Sequence, residues 1–131
     1  MSMIEHTTRA FGSPSRYIQG RYELNHLKEY TDAYGKRVLI LVDYFFYEEY
    51  KVKFEDMYRE GESGVTVLEF SGEITADKIE QIAESVKEFQ PNVVAGMGGG
   101  KTMDTAKAVA DIFKAATVII PTTASTDAPV I

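Results

Sequence analysis

The sequence predicts an α/β fold in which a parallel sheet carries helices on both faces. Three observations carry that expectation. Short apolar runs without polar alternation, above all Val38-Leu39-Ile40-Leu41-Val42, suit strands covered on both sides. Segments with apolar residues at helical spacing lie between such runs, so that strand and helix alternate at least three times. A glycine-rich stretch, Gly96-Met97-Gly98-Gly99-Gly100, falls where one strand gives way to the next helix.

In chain order, Ser15 to Gly20 reads as a short edge strand, and Tyr22 to Tyr34 as a helix with Leu24, Leu27 and Tyr34 on its apolar side and Gly35 after it. Asp43 ends the strand from Val38 to Val42. From Phe45 to Arg59, the residues Phe46, Tyr50, Phe54 and Met57 recur at helical spacing, and Gly61 and Gly64 break the pattern before a strand from Val65 to Phe70. Thr75 is the expected N-cap of the next helix, with Ile74 and Ile79 placed as a hydrophobic staple. The apolar stripe Ile79, Ile82, Ala83, Val86 and Phe89 follows, and Pro91 closes the element. Val93 to Ala95 is predicted as a strand, Thr102 to Lys114 as a helix, and Thr117 to Ile120 as a strand running into Pro121. The arrangement is Rossmann-like, and residues 1–131 are read as a single, partial domain, because a doubly wound sheet would ordinarily continue past the last strand.

The chain has 131 residues, 26% of them charged and 44% hydrophobic, which is ordinary globular composition with room for one domain. A net charge of -6 repels both a phosphate backbone and an anionic membrane, so neither nucleic acid nor membrane is an expected partner. The lack of cysteine excludes disulfides and thiolate metal sites. A beginning that carries Glu5 and His6 and no apolar stretch does not read as a signal peptide, so a cytoplasmic location is expected.

The run from Gly96 to Thr102 reads as a phosphate-gripping loop. Glycines let the backbone come close to a ligand, and the helix behind them offers unpaired amides and a positive dipole end to a pyrophosphate. Lys101 adds a cation. Two patterns nearly fit. The dinucleotide fingerprint G-x-G-x-x-G matches at Gly96 and Gly98 but puts Lys101 where its third glycine belongs. The P-loop pattern matches at Gly100, Lys101 and Thr102 but puts Ala95 where its first glycine belongs, which leaves a small ATP- or GTP-binding domain as the competing reading. Against that alternative, the loop follows the fourth strand rather than the first. The next strand also ends in Pro121 instead of an aspartate able to hold magnesium. Asp104, placed in the first helical turn, either complements the helix dipole or touches a cofactor.

Asp43 lies at the carboxyl end of a buried strand, beside the crevice where open α/β sheets bind ligands. It is either a solvated strand terminus or an acceptor for ribose hydroxyls, and in the second case its charge would repel a 2′-phosphate. The stretch Pro121-Thr122-Thr123-Ala124-Ser125-Thr126-Asp127-Ala128-Pro129 follows the last strand and so belongs to the same edge. Its hydroxyls are either turn formers or contacts to a cofactor, and Asp127 could face a polyol hydroxyl.

Taken together, Gly98-Gly99-Gly100-Lys101-Thr102-Met103-Asp104-Thr105-Ala106-Lys107-Ala108 and the run from Ala124 to Pro129 resemble the iron-containing, or group III, alcohol dehydrogenase superfamily. Within it they are most similar to the glycerol dehydrogenase branch. Branches that include dehydroquinate synthase and glycerol-1-phosphate dehydrogenase share the glycine stretch in looser form. The resemblance runs from Tyr17-Ile18-Gln19-Gly20 to Pro129 and matches only the front part of a family member. It implies NAD as cofactor, with Asp43 on the adenosine ribose, Gly98, Gly99, Gly100, Lys101, Thr102, Met103 and Asp104 around the pyrophosphate, and Thr122, Thr123 and Ser125 near the nicotinamide. It further implies Asp127 as a contact to glycerol, a small polyol substrate, and a homo-oligomer for the full-length enzyme. In the family a divalent metal, usually zinc, is held by one aspartate and two histidines of a following helical domain. His6 and His26 have no partner at metal-ligand spacing, so no metal ligand is expected in this chain, and the chain alone is expected to be inactive.

Overall fold

In the computed structural model, which describes residues 5–8, 14–17, 24–123 and 128–129, the apolar runs become the centre of a sheet. Its strands are β1 (Glu5–Thr8), β2 (Pro14–Tyr17), β3 (Arg37–Asp43), β4 (Gly64–Phe70), β5 (Val93–Gly98) and β6 (Ala116–Thr123), with a short β7 (Ala128–Pro129). The helices are α1 (Leu27–Asp32), α2 (Tyr44–Met57), α3 (Ala76–Ser85) and α4 (Gly100–Phe113). Across the sheet the order is β1-β2-β6-β5-β3-β4, and β7 pairs with β6. Neighbours from β2 to β4 are parallel, and β1 lies antiparallel on β2. This is a five-stranded parallel sheet with helices on both faces, as the sequence predicts.

Residue parity decides which side chain enters which layer. Val38, Ile40 and Val42 of β3, with Val93, Ala95 and Met97 of β5 and Val118 and Ile120 of β6, form one layer with Leu27, Phe46, Tyr50 and Phe54 of α1 and α2. Leu39 and Leu41 face the opposite way, joining Val94, Ile82, Val86, Ala106, Val109 and Ala110 beneath α3 and α4. A strand that is apolar at every position is what two covered faces require. Each fully buried aliphatic side chain contributes about 1.5–3 kcal/mol, so these two layers dominate the stability.

The connections fix where a ligand can sit. From β3 the chain crosses through α2 to β4 on one side, and from β5 it crosses through α4 to β6 on the other. Right-handed crossovers that run in opposite directions must use opposite faces, which places α2 and α4 across the sheet from each other. The adjacent pair β3 and β5 is therefore the switch point, and its carboxyl ends open a crevice.

Local features agree with the sequence in several places. Thr75 caps α3, its hydroxyl accepting from the Lys78 amide at 3.0 Å. Tyr58, one residue beyond α2, is buried, and its hydroxyl lies 2.7 Å from the Thr31 hydroxyl; burial pushes its pKa upward. The expected edge strand differs. It appears as β2, which runs from Pro14, and it is not an edge, because the polar segment Glu5–Thr8 pairs along its outer side. Helix α1 proper spans Leu27–Asp32, shorter than Tyr22 to Tyr34. No helix among the described residues is long and apolar enough to cross a membrane.

Helix α4 approaches the sheet closely at Gly96, within β5. A β-carbon there would come within 2.7 Å of the Ala106 β-carbon and 3.3 Å of the Thr102 carbonyl oxygen, so α4 rests directly on the strand. Replacing Gly96 by alanine is expected to push α4 outward and to cost about 1–3 kcal/mol, measured by urea unfolding.

Candidate functional site

The strand register aligns four chain ends along one edge of the sheet. Asp43 pairs with Phe70, Val42 with Met97, and Gly98 with Pro121, so β3, β4 and β5 end side by side and β6 runs two residues further. Asp43 is half-buried, and it is the N-cap of α2: its Oδ1 accepts from the Phe45 amide at 2.9 Å. Its Oδ2 lies 3.4 Å from the Thr102 hydroxyl, which donates to it from the first turn of α4. Gly98 sits between them. A β-carbon at position 98 would come within 2.8 Å of Thr102 Oγ1 and 2.9 Å of Asp43 Cβ. Only hydrogen fits there, and the carboxylate is thus held by two donors at the switch point.

Helix α4 begins without a side-chain cap. Its N-cap is Gly99, and no side chain accepts from its first amides, whereas α2 is capped by Asp43 and α3 by Thr75. A β-carbon added at Gly99 or at Gly100 would meet nothing within 4 Å, and both residues are exposed, so the backbone here is open to approach. An uncapped helix start carries unpaired N–H groups and the positive end of the helix dipole, which suits an anionic group.

The predicted loop is shorter than the sequence suggests. Gly96, Met97 and Gly98 belong to β5, and α4 starts at Gly100, which leaves Gly99 as the only residue between them. A P-loop needs a longer stretch to wrap a phosphate, so this junction does not support the ATP- or GTP-binding alternative. Thr102 is 1% exposed, and its side chain is turned to Asp43 rather than to the open space. Met103 is half-buried, its amide donating to the Gly99 carbonyl at 3.0 Å. Asp104 is exposed and falls in the second turn, not the first, because α4 starts two residues before Thr102.

Lys101 is exposed at the mouth, and its ammonium pairs with Glu73 Oε2 at 2.7 Å. Sequence reasoning passed over Glu73. The available signal was topological: every loop that leaves a parallel strand emerges on the same edge, and Glu73 lies between β4 and α3. Thr122 is half-buried near the end of β6, opposite Pro129 of β7, and the backbone of Thr123 pairs with Ala128. Residues Ala128–Pro129 thus lie antiparallel to the end of β6. Ser125 and Asp127 lie outside the described residues. Among the described residues no group of three or more His, Asp or Glu side chains converges as a metal site. His26 is the N-cap of α1, 3.4 Å from Glu29.

A parallel sheet whose switch point presents an uncapped, glycine-flanked helix start beside an acidic strand end defines a Rossmann-like domain. Residues 14–131 match the family described as iron-containing alcohol dehydrogenase, and the chain belongs to that family. It is 41% identical to a glycerol dehydrogenase of Thermotoga maritima, over 94% of this chain and 33% of that protein. It is 37% identical to a glycolaldehyde reductase of Halobacterium salinarum, over 93% of this chain and 33% of that protein. The crystal structure of glycerol dehydrogenase from Schizosaccharomyces pombe superposes with a TM-score of 0.70 at 27% identity, covering 80% of this chain and 27% of that one. The chain spans about a third of the length of the curated relatives it matches.

Because Asp43 caps α2, Asp43→Ala is expected to lower stability by about 1 kcal/mol, while Asp43→Ser, which restores an acceptor, recovers most of it. Urea unfolding of the two variants side by side measures the difference.

Proposed function

We propose that this chain is the cofactor-binding part of an NAD-dependent glycerol dehydrogenase, an oxidoreductase whose full-length form oxidises glycerol to dihydroxyacetone. The observation that carries the reading is the open, uncapped start of α4 beside Asp43 at the switch point. The named relatives supply the substrate class: several are glycerol dehydrogenases and one is a glycolaldehyde reductase, all names that refer to small hydroxylated molecules.

The residues present fit a dinucleotide. The free amides from Gly99 to Thr102 face the pyrophosphate, and Lys101 lies close enough to share in its charge. Asp43 accepts from the ribose hydroxyls with the lone pairs that its two internal donors leave unused, since each carboxylate oxygen carries two. Its charge disfavours a 2′-phosphate at that position and so selects NAD over NADP. The burial of Thr102 limits that residue to its backbone amide and to holding Asp43. Thr122 and Thr123, at the end of β6, together with Ser125 serve the nicotinamide side, and Asp127 the polyol. The bound cofactor supplies the hydride acceptor. Zinc does not fit this chain's own donors: the resemblance calls for two histidines and an aspartate of a following helical domain, whereas His6 lies in β1 and His26 at the start of α1. No step is assigned to a metal here, and the 131-residue chain is expected to bind NAD without oxidising glycerol.

Calorimetric titration of NAD, NADP and magnesium-ATP into the purified chain tests the reading. NAD is expected to bind more tightly than either competitor, and Asp43→Ser, which keeps the cap but removes the charge, is expected to narrow the NAD-to-NADP preference about tenfold. A magnesium-dependent preference for ATP would sink the cofactor assignment, and turnover of glycerol by this chain would overturn the expectation of inactivity.

A further inference from the structure

We propose that Glu73 sets how much negative charge the start of α4 accepts, favouring the doubly charged diphosphate diester of a dinucleotide over a nucleoside triphosphate. The inference rests on the cofactor reading above and deepens it by naming a selectivity residue.

Glu73 Oε2 stands 2.7 Å from Lys101 Nζ, and both side chains are largely exposed, at 73% and 56%. A pair so exposed contributes little to stability, so its effect is felt by whatever charge approaches it. Lys101 is the second residue of α4 and follows the open positions Gly99 and Gly100. Any phosphate at the helix start therefore meets the ammonium and its acidic partner together.

The loop that presents Glu73 is braced from within. Lys78 Nζ donates to the Ser71 carbonyl at 3.0 Å and lies 5.5 Å from the centre of the Phe70 ring. Thr75 holds the Lys78 amide, and Gly72, at φ +85°, makes a turn that other residues enter only with strain. The carboxylate is thus carried by a fixed loop on the same edge as Asp43, not by a loose surface segment.

Charge at the mouth follows from these positions. The one lysine in the first turn of α4 is matched by Glu73, which leaves the uncapped amides and the dipole, equivalent to about half a positive charge, as the attraction, set against the fixed carboxylate of Asp43 beside them. Two phosphate charges on a diester can be met by several N–H groups. Each further charge of a triphosphate gains no new cation, and it approaches the Glu73 carboxylate. At surface distances, one such repulsion is worth a few-fold in affinity per added charge. A P-loop lysine acts as an unmatched cation on the outer phosphates; here its counterpart is already engaged.

The test is calorimetric titration of ADP-ribose and of ATP, without magnesium and at low salt, into the wild-type chain and Glu73→Gln, with thermal melts of both. Glu73→Gln is expected to raise ADP-ribose affinity about threefold and ATP affinity about tenfold or more, with the gain shrinking at high salt. Glu73→Asp, which keeps the charge, is expected to retain the wild-type ratio. An unchanged ratio in Glu73→Gln, or weaker ADP-ribose binding, overturns the proposal. Failure of the wild-type chain and of the variant to bind either nucleotide removes the cofactor reading itself, and the inference with it.

Discussion

The meeting of Asp43, Gly98 and Thr102 between β3 and β5 is the contact on which the rest of the site depends. Gly98 has no room for a β-carbon against either neighbour, so the carboxylate at the end of β3 and the hydroxyl at the start of α4 can lie across a single backbone. Two consequences follow. Asp43 serves at once as the end of a strand, the cap of α2 and a partner of α4, which ties both faces of the sheet to one edge. The start of α4 is also drawn against the strand ends, with its uncapped first turn beside Asp43.

This polar junction is small in energy beside the layers that hold it. The cap and the long contact to Thr102 are each worth about 1 kcal/mol or less. The aliphatic side chains of β3 and β5, buried on both faces, contribute several times as much together. The geometry of the edge is therefore set by packing: Gly96 admits Ala106 to close contact, α4 settles on β5, and the helix start arrives at the switch point with only Gly99 intervening. The same logic explains why Lys101 and Glu73 can stay exposed without loosening the site, since their pair holds nothing up.

Legibility in the sequence followed the same division. The strand from Val38 to Val42, the helix bearing Phe46, Tyr50 and Phe54, and the Thr75 cap were readable because each is encoded within a short window of side-chain chemistry. β1 and the interior position of β2 were not, because Glu5–Thr8 has no apolar pattern and its pairing is a tertiary event. The glycine stretch stood out in the sequence as a strand-to-helix junction, but where strand gives way to helix within it did not. Glycine has weak preference for either, so periodicity cannot locate the junction, and packing against Ala106 decides it. From that one shift follow the second-turn position of Asp104 and the burial of Thr102. The extension of β6 through Thr122 and Thr123, where it pairs with Ala128–Pro129, was likewise unreadable, since threonine serves turns and strands equally.

The distribution of the site along the chain carries a further implication. Asp43, Glu73, Gly98, Gly99, Gly100 and Lys101 all lie between β3 and the start of α4, and the topology delivers them to one edge without help from distant segments. A site of this kind needs only a switch point and the loops beside it, and these fall within the third of its relatives' length that the chain spans. Metal-assisted chemistry has a different requirement: several side chains must converge on one point, and no such group occurs among the described residues. An anion-binding helix start and a metal centre therefore make different demands on a fold: the first needs backbone amides and strand order, the second side chains that converge on one point.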